Sequence, residues 1–516
     1  MKLLILLSIF ANQALWLQKA EQAKPTLHET VVSPVSLVQL VPNNDAFQGY
    51  RMEPQQGLDT YLSSSMKEHP SVIVDFGDHY TGYYSFHLKT THRCADGPLR
   101  IRFTFAEIPS EFAADWEHYT GWLSSAWRQT EELVIFDMDK TYTLQRRYSG
   151  RYVKIELLAY SKDFDFCLDH MAFRAVSSAP TIENMPSLAP EWRRIYQVGL
   201  RTLSECMQTV YEDGPKRDKR LWAGDVYLEA LANQYSFRNF DLTKRCLYLF
   251  AALTEEDGRI YGNIFETPTP HPQLESHPED YALLYCVALR DYVEATQDIE
   301  TAQDIFPVIV RQLEYAQQIY GQYDGHWLFF DWRDGIEKTA AMECLTVYAL
   351  NQSALLADKI GQSNYAKQWR EQAKAYTKQI RRDYWNRQAN MIIDKGQFNE
   401  IEQIWATLSG VISCKEAQKA LTNMKQRDDV IRLGTPYANH YYVQALIQCG
   451  LTTTAREHVL TYWGSMVNKG ADTYWEAYDP NDEYLSPYGF APINSYCHAW
   501  SCTPVYFIGK YPEIFK

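Results

Sequence analysis

The feature that most constrains the fold is a change in hydrophobic periodicity near residue 190. From Glu191 onward, apolar residues recur at intervals of three and four, as is typical of amphipathic helices. About a dozen such segments follow one another, the last over 493–507. Some connections between them are short, and others are long: 255–278, 321–336, 384–401 and 469–492. This pattern predicts six α-hairpins closed into an (α/α)6 toroid over 191–516, although an open helical solenoid would show the same period.

Residues 27–178 show a different pattern. Short β-branched or aromatic runs with partial alternation, such as 71–77 and 99–105, are separated by clusters of Gly, Asp and Pro. Such runs are typical of strands, and several in succession predict an N-terminal β-sandwich. This segment shows no obvious functional site of its own. Residues 179–190 are rich in Pro and Ser and have little periodicity, so we interpret them as a linker.

The first residues predict an exported protein. Residues 1–23 begin with a basic residue and continue with a short apolar run, which is typical of a signal peptide. This predicts a secreted or periplasmic location. The run is too short for a comfortable membrane span, and no other candidate span follows, so membrane insertion is not expected.

Composition narrows the range of ligands. The net charge of −14 argues against nucleic acid or an anionic membrane as a partner. Aromatic residues make up 14% of the chain, which suits stacking on sugars but equally suits a large core. The 10 cysteines are scattered without a C-x-x-C pair, so we expect buried thiols, not disulfides or a zinc site. No metal and no cofactor are predicted.

The densest cluster of reactive side chains is the stretch 213–225, DGPKRDKRLWAGD. Gly214-Pro215 disfavours helix, so the stretch is expected to be a loop between two helical segments. A solvated charged loop would have a similar composition. However, its arginines can orient its carboxylates, and Trp222 is costly to expose among charges. A distant segment, 473–479 (TYWEAYD), has the same combination of acidic and aromatic residues.

These motifs resemble those of the α-L-rhamnosidases of glycoside hydrolase family 78. The resemblance rests on Asp213, Arg217-Asp218 and Trp222-Ala-Gly-Asp225, on the segment 473–479, and on 494–498 (NSYCH). Members of this family pair a β-sandwich with a six-hairpin toroid and invert the anomeric centre. The resemblance therefore implies a secreted inverting exo-glycosidase that removes terminal α-L-rhamnose, or a related deoxy sugar, from an oligo- or polysaccharide.

The resemblance also implies residue roles. An inverting glycosidase needs a general acid and a general base roughly 6.5–9.5 Å apart. Asp218 is the expected acid and Glu476 the expected base, with Asp225 as the alternative acid. Asp213 and Asp225 are expected to accept hydrogen bonds from sugar hydroxyls in their ionised form. The chain departs from many members by carrying Asp218 where they carry Glu, and Lys219 follows it.

Six further residues are predicted to contact the substrate. Trp332, in a long connection, is a candidate platform for the methyl face of a deoxy sugar, with core packing as the alternative. Asp280 either points into the cleft or caps its helix. His498 contacts the sugar or is an ordinary core histidine. The full set is Arg217, Trp222, Asp280, Trp332, Trp475 and His498.

Two other functions stay open at this point. A polysaccharide lyase on the same toroid would use Tyr and His as base and acid, and His440, Tyr441 and Arg217 are its candidates. A sugar-binding protein with a decayed site would explain the replacement of Glu by Asp218. The sequence predicts no oligomeric state.

Overall fold

A computed structural model of the protein describes residues 2–90, 96–183 and 185–515. Cys94 and one residue of the predicted linker, Asn184, lie outside these ranges. Of the cysteines within them, all except Cys414 are buried. The chain begins with helix α1 (Lys2–Gln22), and the remaining elements form two domains.

The N-terminal domain is built from nine strands within the described residues. A short helix, α2 (Leu58–Ser63), lies between the third and fourth strands. The strands are β1 (His28–Val32), β2 (Ser36–Pro42), β3 (Tyr50–Gln55), β4 (Ser71–Thr90), β5 (Leu99–Ala106), β6 (Thr130–Ile135), β7 (Lys140–Thr143), β8 (Tyr148–Ala159) and β9 (Phe166–Ser177).

The long strand β4 connects the two layers of this domain. Its first half pairs with β2 and β8, its second half pairs with β7 and β9, and the register shifts between Asp75 and Tyr80. Phe86 on β4 packs against Phe103 on β5 with ring centroids 4.7 Å apart, although these two strands do not pair. The sheet therefore folds back on itself around a shared aromatic core. The predicted β-sandwich is confirmed.

The C-terminal domain is helical, with a few short strands at its loops. The helices are α3 (Pro190–Cys206), α4 (Ala223–Gln234), α5 (Phe240–Ala252), α6 (Glu279–Thr296), α7 (Ile299–Gln318), α8 (Thr339–Lys359), α9 (Ser363–Tyr384), α10 (Glu400–Leu408), α11 (Cys414–Lys425), α12 (Pro436–Gln448), α13 (Thr452–Asn468), α14 (Pro504–Lys510) and α15 (Pro512–Phe515). The strands are β10 (Leu221–Trp222), β11 (Asn263–Phe265), β12 (His271–Pro272), β13 (Trp385–Asn386), β14 (Met391–Ile392), β15 (Phe398–Asn399) and β16 (Val430–Ile431).

Helices α3 to α14 form two concentric rings. The inner ring consists of the even-numbered helices from α4 to α14. From α4 to α12, each helix contacts the next even-numbered helix, except that α12 contacts the 3₁₀ turn Ala499–Ser501 that leads into α14. Helix α14 in turn contacts α4. The odd-numbered helices lie outside, where α3 contacts α13. Contact between the first and last members closes the ring, which an open solenoid would not do. The predicted six-hairpin toroid is confirmed.

The prediction of a helix over 493–507 is wrong for most of that range. The chain forms two 3₁₀ turns there, Ala491–Ile493 and Ala499–Ser501, and α14 begins only at Pro504. Nearly every residue in this segment is buried. Because burial on all sides gives frequent apolar residues in any conformation, the pattern resembled helical periodicity without being helical.

Helix α1 packs across the outer helices α5 and α7. Ile9 is fully buried and Trp16 is 1% exposed. The Nζ atom of Lys19 lies 2.5 Å from Oδ2 of Asp304 on α7. Cleavage of the predicted signal peptide at 1–23 would remove these contacts from the toroid, and the cleavage itself stays a prediction. In the ranges that the structure describes, no helix is both long and apolar enough to cross a membrane.

Candidate active site

A cavity of about 570 Å³ lies over one end of the toroid. Most of its lining comes from the connections that lead into the inner helices, at 213–222, 273–276, 327–332 and 476–500. These connections meet because all inner helices run in the same direction along the axis of the toroid and therefore begin at the same end. Three of the four long connections noted in the sequence contribute, and 384–401 does not.

Arg217 is the central charged group of the cavity. Its Nη1 atom lies 3.3 Å from Oδ1 of Asp218, and its Nη2 atom donates a short hydrogen bond to Oε2 of Glu476. The guanidinium is 3% exposed and lies 4.2 Å from the ring centroid of Tyr488. Its Nε atom donates to the carbonyl of Ile493. One side chain thus brings the two predicted catalytic carboxylates to a common site.

Glu476 is held from three sides. Besides Arg217, the hydroxyl of Tyr488 donates a short hydrogen bond to Oε1, and the backbone N–H of Ser495 donates to Oε2 at 3.0 Å. The residue is 2% exposed. These donors fix both carboxylate oxygens, and Trp500 donates from its indole to the Glu476 carbonyl at 3.0 Å.

Asp218 is more open to the cavity than Glu476. Its Oδ2 atom lies 3.6 Å from Nη1 of Arg220. The following residue, Lys219, turns away and donates from Nζ to the carbonyl of Arg147 in the sandwich. Burial lowers the pKa of Lys219 to about 8. Lys219 therefore does not line the cavity, and its charge is directed into the domain interface.

Asp213 supports the loop that carries Asp218. Its Oδ2 accepts the backbone N–H of Asp218 at 3.2 Å, and its Oδ1 accepts that of Arg220 at 3.1 Å. Burial, with the nearby Asp218 carboxylate as the second cause, raises the pKa of Asp213 to about 8. This differs from the expectation of an ionised sugar ligand, because the carboxyl holds a proton at neutral pH.

Asp225 and His498 lie together on the floor of the cavity. Oδ1 of Asp225 is 3.8 Å from Nδ1 of His498, and neither atom has a hydrogen-bond partner in the described part of the chain. Burial and the Asp213 carboxylate raise the pKa of Asp225 well above its ordinary value. Burial and the Arg217 charge lower the pKa of His498 well below its own. His498 is therefore neutral near pH 7, and Asp225 holds its proton to a higher pH than an exposed carboxyl does. Both unpartnered atoms are free to exchange hydrogen bonds with hydroxyls.

Two of the predicted aromatic contacts line the walls. Trp222 lies edge-on to Tyr281 and to Trp327, with centroids 6.3 and 6.2 Å apart. Trp332 lies edge-on to Tyr488 at 5.7 Å on another part of the wall. Both predicted tryptophans border the cavity.

The other two predicted contacts do not line the cavity. Asp280 is fully buried, and its two oxygens accept the backbone N–H groups of Phe329 and Phe330 at 2.9 Å. It anchors the 327–332 connection. Trp475 is 1% exposed and stacks on Phe47 of the sandwich domain, with centroids 3.9 Å apart. Its ring seals the domain interface and does not face the substrate.

Several lining residues were missed in the sequence. Trp122 and Trp127 come from the connection between β5 and β6, so the sandwich domain does contribute to the site, contrary to expectation. A signal was available, because three tryptophans within 116–127 are unusual in a loop. Tyr488 and Trp500 lie close to recognised motifs but carried no motif of their own.

Family comparisons agree with this architecture. Residues 34–175 match the glycosyl hydrolase family 78 alpha-rhamnosidase N-terminal domain, and residues 187–511 match the bacterial alpha-L-rhamnosidase six-hairpin glycosidase domain. The chain belongs to glycoside hydrolase family 78. The protein is accordingly a glycoside hydrolase, and the predicted resemblance is confirmed.

Solved structures support the same assignment. A rhamnosidase from Klebsiella oxytoca with rhamnose bound is 35% identical, with a TM-score of 0.93 over 97% of this chain and 99% of that one. A family 78 rhamnosidase from Bacillus sp. GL1 is 20% identical, with a TM-score of 0.72 over 85% of this chain and 46% of that one. An α-L-rhamnosidase from Streptomyces avermitilis complexed with L-rhamnose is 16% identical, with a TM-score of 0.67 over 94% and 44%. The last two show the fold alone. A search of curated proteins found no match.

Proposed function

We propose that this glycoside hydrolase releases terminal α-L-rhamnose, or a close deoxy sugar, from oligo- or polysaccharides with inversion, using Asp218 as acid and Glu476 as base. The observation that supports this most directly is the contact of Arg217 with both carboxyl groups. These contacts keep the two carboxyl groups within about 9.5 Å of each other, a limit that retaining and inverting pairs both meet, so inversion is inferred from the resemblance to the family. The sugar is inferred from the family and from the rhamnose-bound Klebsiella oxytoca relative.

The environment of Glu476 suits a base. A general base must hold its carboxylate in a fixed direction while it removes a proton from the attacking water. Arg217, Tyr488 and Ser495 provide that orientation from three sides. A water molecule between this carboxylate and the sugar would be the nucleophile of a single displacement.

The position of Asp218 suits the acid better than that of Asp225. The acid has to reach the leaving oxygen, which points towards the mouth of an exo-acting cavity. The side chain of Asp218 is 14% exposed, and that of Asp225 is 3% exposed. Asp225 is the alternative acid because burial raises its pKa well above its ordinary value. We assign Asp225 and His498 to the hydroxyls of the bound sugar.

The lyase hypothesis loses its proposed acid and base. His440 is 1% exposed and stacks on Phe507 at 5.0 Å, and burial lowers its pKa to about 3. Tyr441 is also buried, and neither residue borders the cavity. A binding role with no turnover is the competing hypothesis that experiment has to address.

The deciding experiment uses 4-nitrophenyl α-L-rhamnopyranoside and follows the anomeric proton of the released sugar by NMR. We expect β-rhamnose first. The α-anomer first would indicate retention and would overturn the acid–base assignment. No release, with sugar binding detected calorimetrically, would establish the binding role instead.

We also propose export, because the segment 1–23 has the basic start and short apolar run of a signal peptide. In the full chain most of this segment forms helix α1, which packs against α5 and α7, so cleavage would remove these contacts.

A further inference from the structure

The residues that line the cavity differ widely in exposure. Asp225 is 2% exposed and His498 is 3% exposed, whereas Trp122 is 68% exposed and Trp327 is 41% exposed. All four border the same cavity. The two exposed tryptophans therefore mark the opening through which the rest of a substrate must extend.

Trp122 is held in place despite its exposure. Its backbone N–H donates to the carbonyl of Tyr488 at 3.2 Å, and its indole Nε1 donates to the carbonyl of Pro487 at 3.0 Å. Thr120 donates from Oγ1 to the carbonyl of Gly489 at 3.0 Å. The loop of the sandwich is thus attached to the loop of the toroid that carries Tyr488. Because the only polar atom of the indole is used, the ring offers an apolar face.

Trp327 belongs to a different part of the wall. Its ring lies edge-on to Trp222, and its carbonyl accepts the backbone N–H of Glu279 at 2.9 Å. Trp122 instead borders Tyr488, with centroids 5.5 Å apart. The mouth is therefore flanked by one exposed indole from each domain.

We propose that Trp122 and Trp327 form a leaving-group subsite that binds an aromatic ring of the aglycone. The proposal rests on the proposed function, since an exo-acting enzyme holds the terminal sugar on the floor and directs the leaving group outward. Fixed indole faces bind flat apolar surfaces by stacking. Trp122 and its neighbour Leu123 offer no free side-chain donor or acceptor. At this side of the mouth the hydroxyls of a second sugar would lack polar partners, whereas an aryl group needs none. The polar lining residues Gln273, Glu275 and Ser276 belong to another connection.

The test compares two substrates in one variant. For Trp122→Ala we expect kcat/KM for phenyl α-L-rhamnoside to fall about tenfold, the scale of a lost aromatic stacking contact. The value for methyl α-L-rhamnoside is expected to change less than twofold. Comparing variant with wild type on each substrate cancels the difference in leaving-group reactivity. Trp122→Phe should recover most of the loss.

A matched control is Phe136→Ala, which removes an aromatic ring that is 69% exposed on the sandwich and outside the cavity. This variant should leave kcat/KM unchanged for both substrates. Equal losses on both substrates, or no loss on either, would overturn the subsite. If the wild-type protein hydrolyses neither glycoside, the proposed function fails. Calorimetric binding of phenyl rhamnoside to wild type and Trp122→Ala then decides the subsite: weaker binding to the variant supports it, and equal or undetectable binding overturns it.

Discussion

The Nζ atom of Lys216 lies 3.2 Å from Oε2 of Glu107, and both side chains are buried between the two domains. The same Glu107 oxygen accepts the backbone N–H of Tyr496 at 2.6 Å. Lys216 precedes Asp218 by two residues, and Tyr496 follows the residue whose N–H contacts Glu476. One carboxylate of the sandwich therefore connects to both loops that carry the proposed acid and base.

Loss of the Lys216 charge should destabilise the protein strongly. In Lys216→Met, Glu107 and Glu111 both lose a cationic partner at 3.2 Å. Removing one partner of a buried ion pair costs about 3–5 kcal/mol. Because Glu107 keeps its contact with His79 at 3.2 Å, we expect the free energy of unfolding to fall by up to that amount. Urea denaturation measures it. The control is Lys359→Met, because the exposed Lys359–Glu294 pair is worth at most about 1 kcal/mol. Equal losses in the two variants would contradict a buried bridge that stabilises the interface.

The acid and base variants should respond differently to the leaving group. We expect Asp218→Asn to lower kcat about 10²–10⁴-fold on a poor leaving group such as methanol. The loss should be small on 2,4-dinitrophenolate, which needs no protonation. Glu476→Gln should lose activity on both, since attack by water needs the base. The comparison variant is Asp225→Asn. If Asp225→Asn keeps its kcat on the 2,4-dinitrophenyl substrate and Asp218→Asn does not, Asp225 is the acid.

Asp213 should make stability depend on pH. Its pKa is about 8 in the folded protein, against 3.8 as the ordinary value. Between these values the folded state retains a proton that the unfolded state has lost, so the contribution of Asp213 to stability declines as pH rises towards 8. Replacement by Asn removes this dependence.

The measurement is the free energy of unfolding of Asp213→Asn minus that of wild type, from pH 5 to pH 8. We expect this difference to become more favourable to the variant as pH rises. Asp298→Asn is the control. Neighbouring donors, chiefly the N–H of Thr301, outweigh burial and lower the pKa of Asp298 to about 2, so its contribution is constant above pH 5. A flat profile for both variants would exclude a protonated Asp213.

Helix α1 should contribute to the stability of the full chain. Trp16 is 1% exposed, and its replacement by Ala should lower the free energy of unfolding by about 3–5 kcal/mol. Leu15→Ala, at a neighbouring position that is 44% exposed, should cost much less. The intact mass of the protein from its native host tests the predicted signal peptide. A mass that begins near residue 24 would confirm cleavage, and a mass that includes residues 2–22 would contradict it.

Much of the site was predictable because its chemistry lies in short motifs. Asp218, Arg217 and Glu476 were all identified from stretches of thirteen residues or fewer. Asp280 and Trp475 were predicted to contact the substrate because their sequence context resembles that of residues that border the cavity. Only the structure shows that Asp280 holds a loop and that Trp475 packs on Phe47.

The sequence alone determined the division into a sandwich and a helical domain, and which loops carry the acidic motifs. Both are local properties, because periodicity and turn residues act over a few neighbours. The tertiary structure decided which tryptophan is exposed and which is buried. Trp122 and Trp475 have the same side chain, but segments that are remote in the sequence cover Trp475 and leave Trp122 exposed. It also decided the raised pKa values of Asp213 and Asp225, since their burial and the neighbouring carboxylates come together only when the two domains and the ring have closed around them.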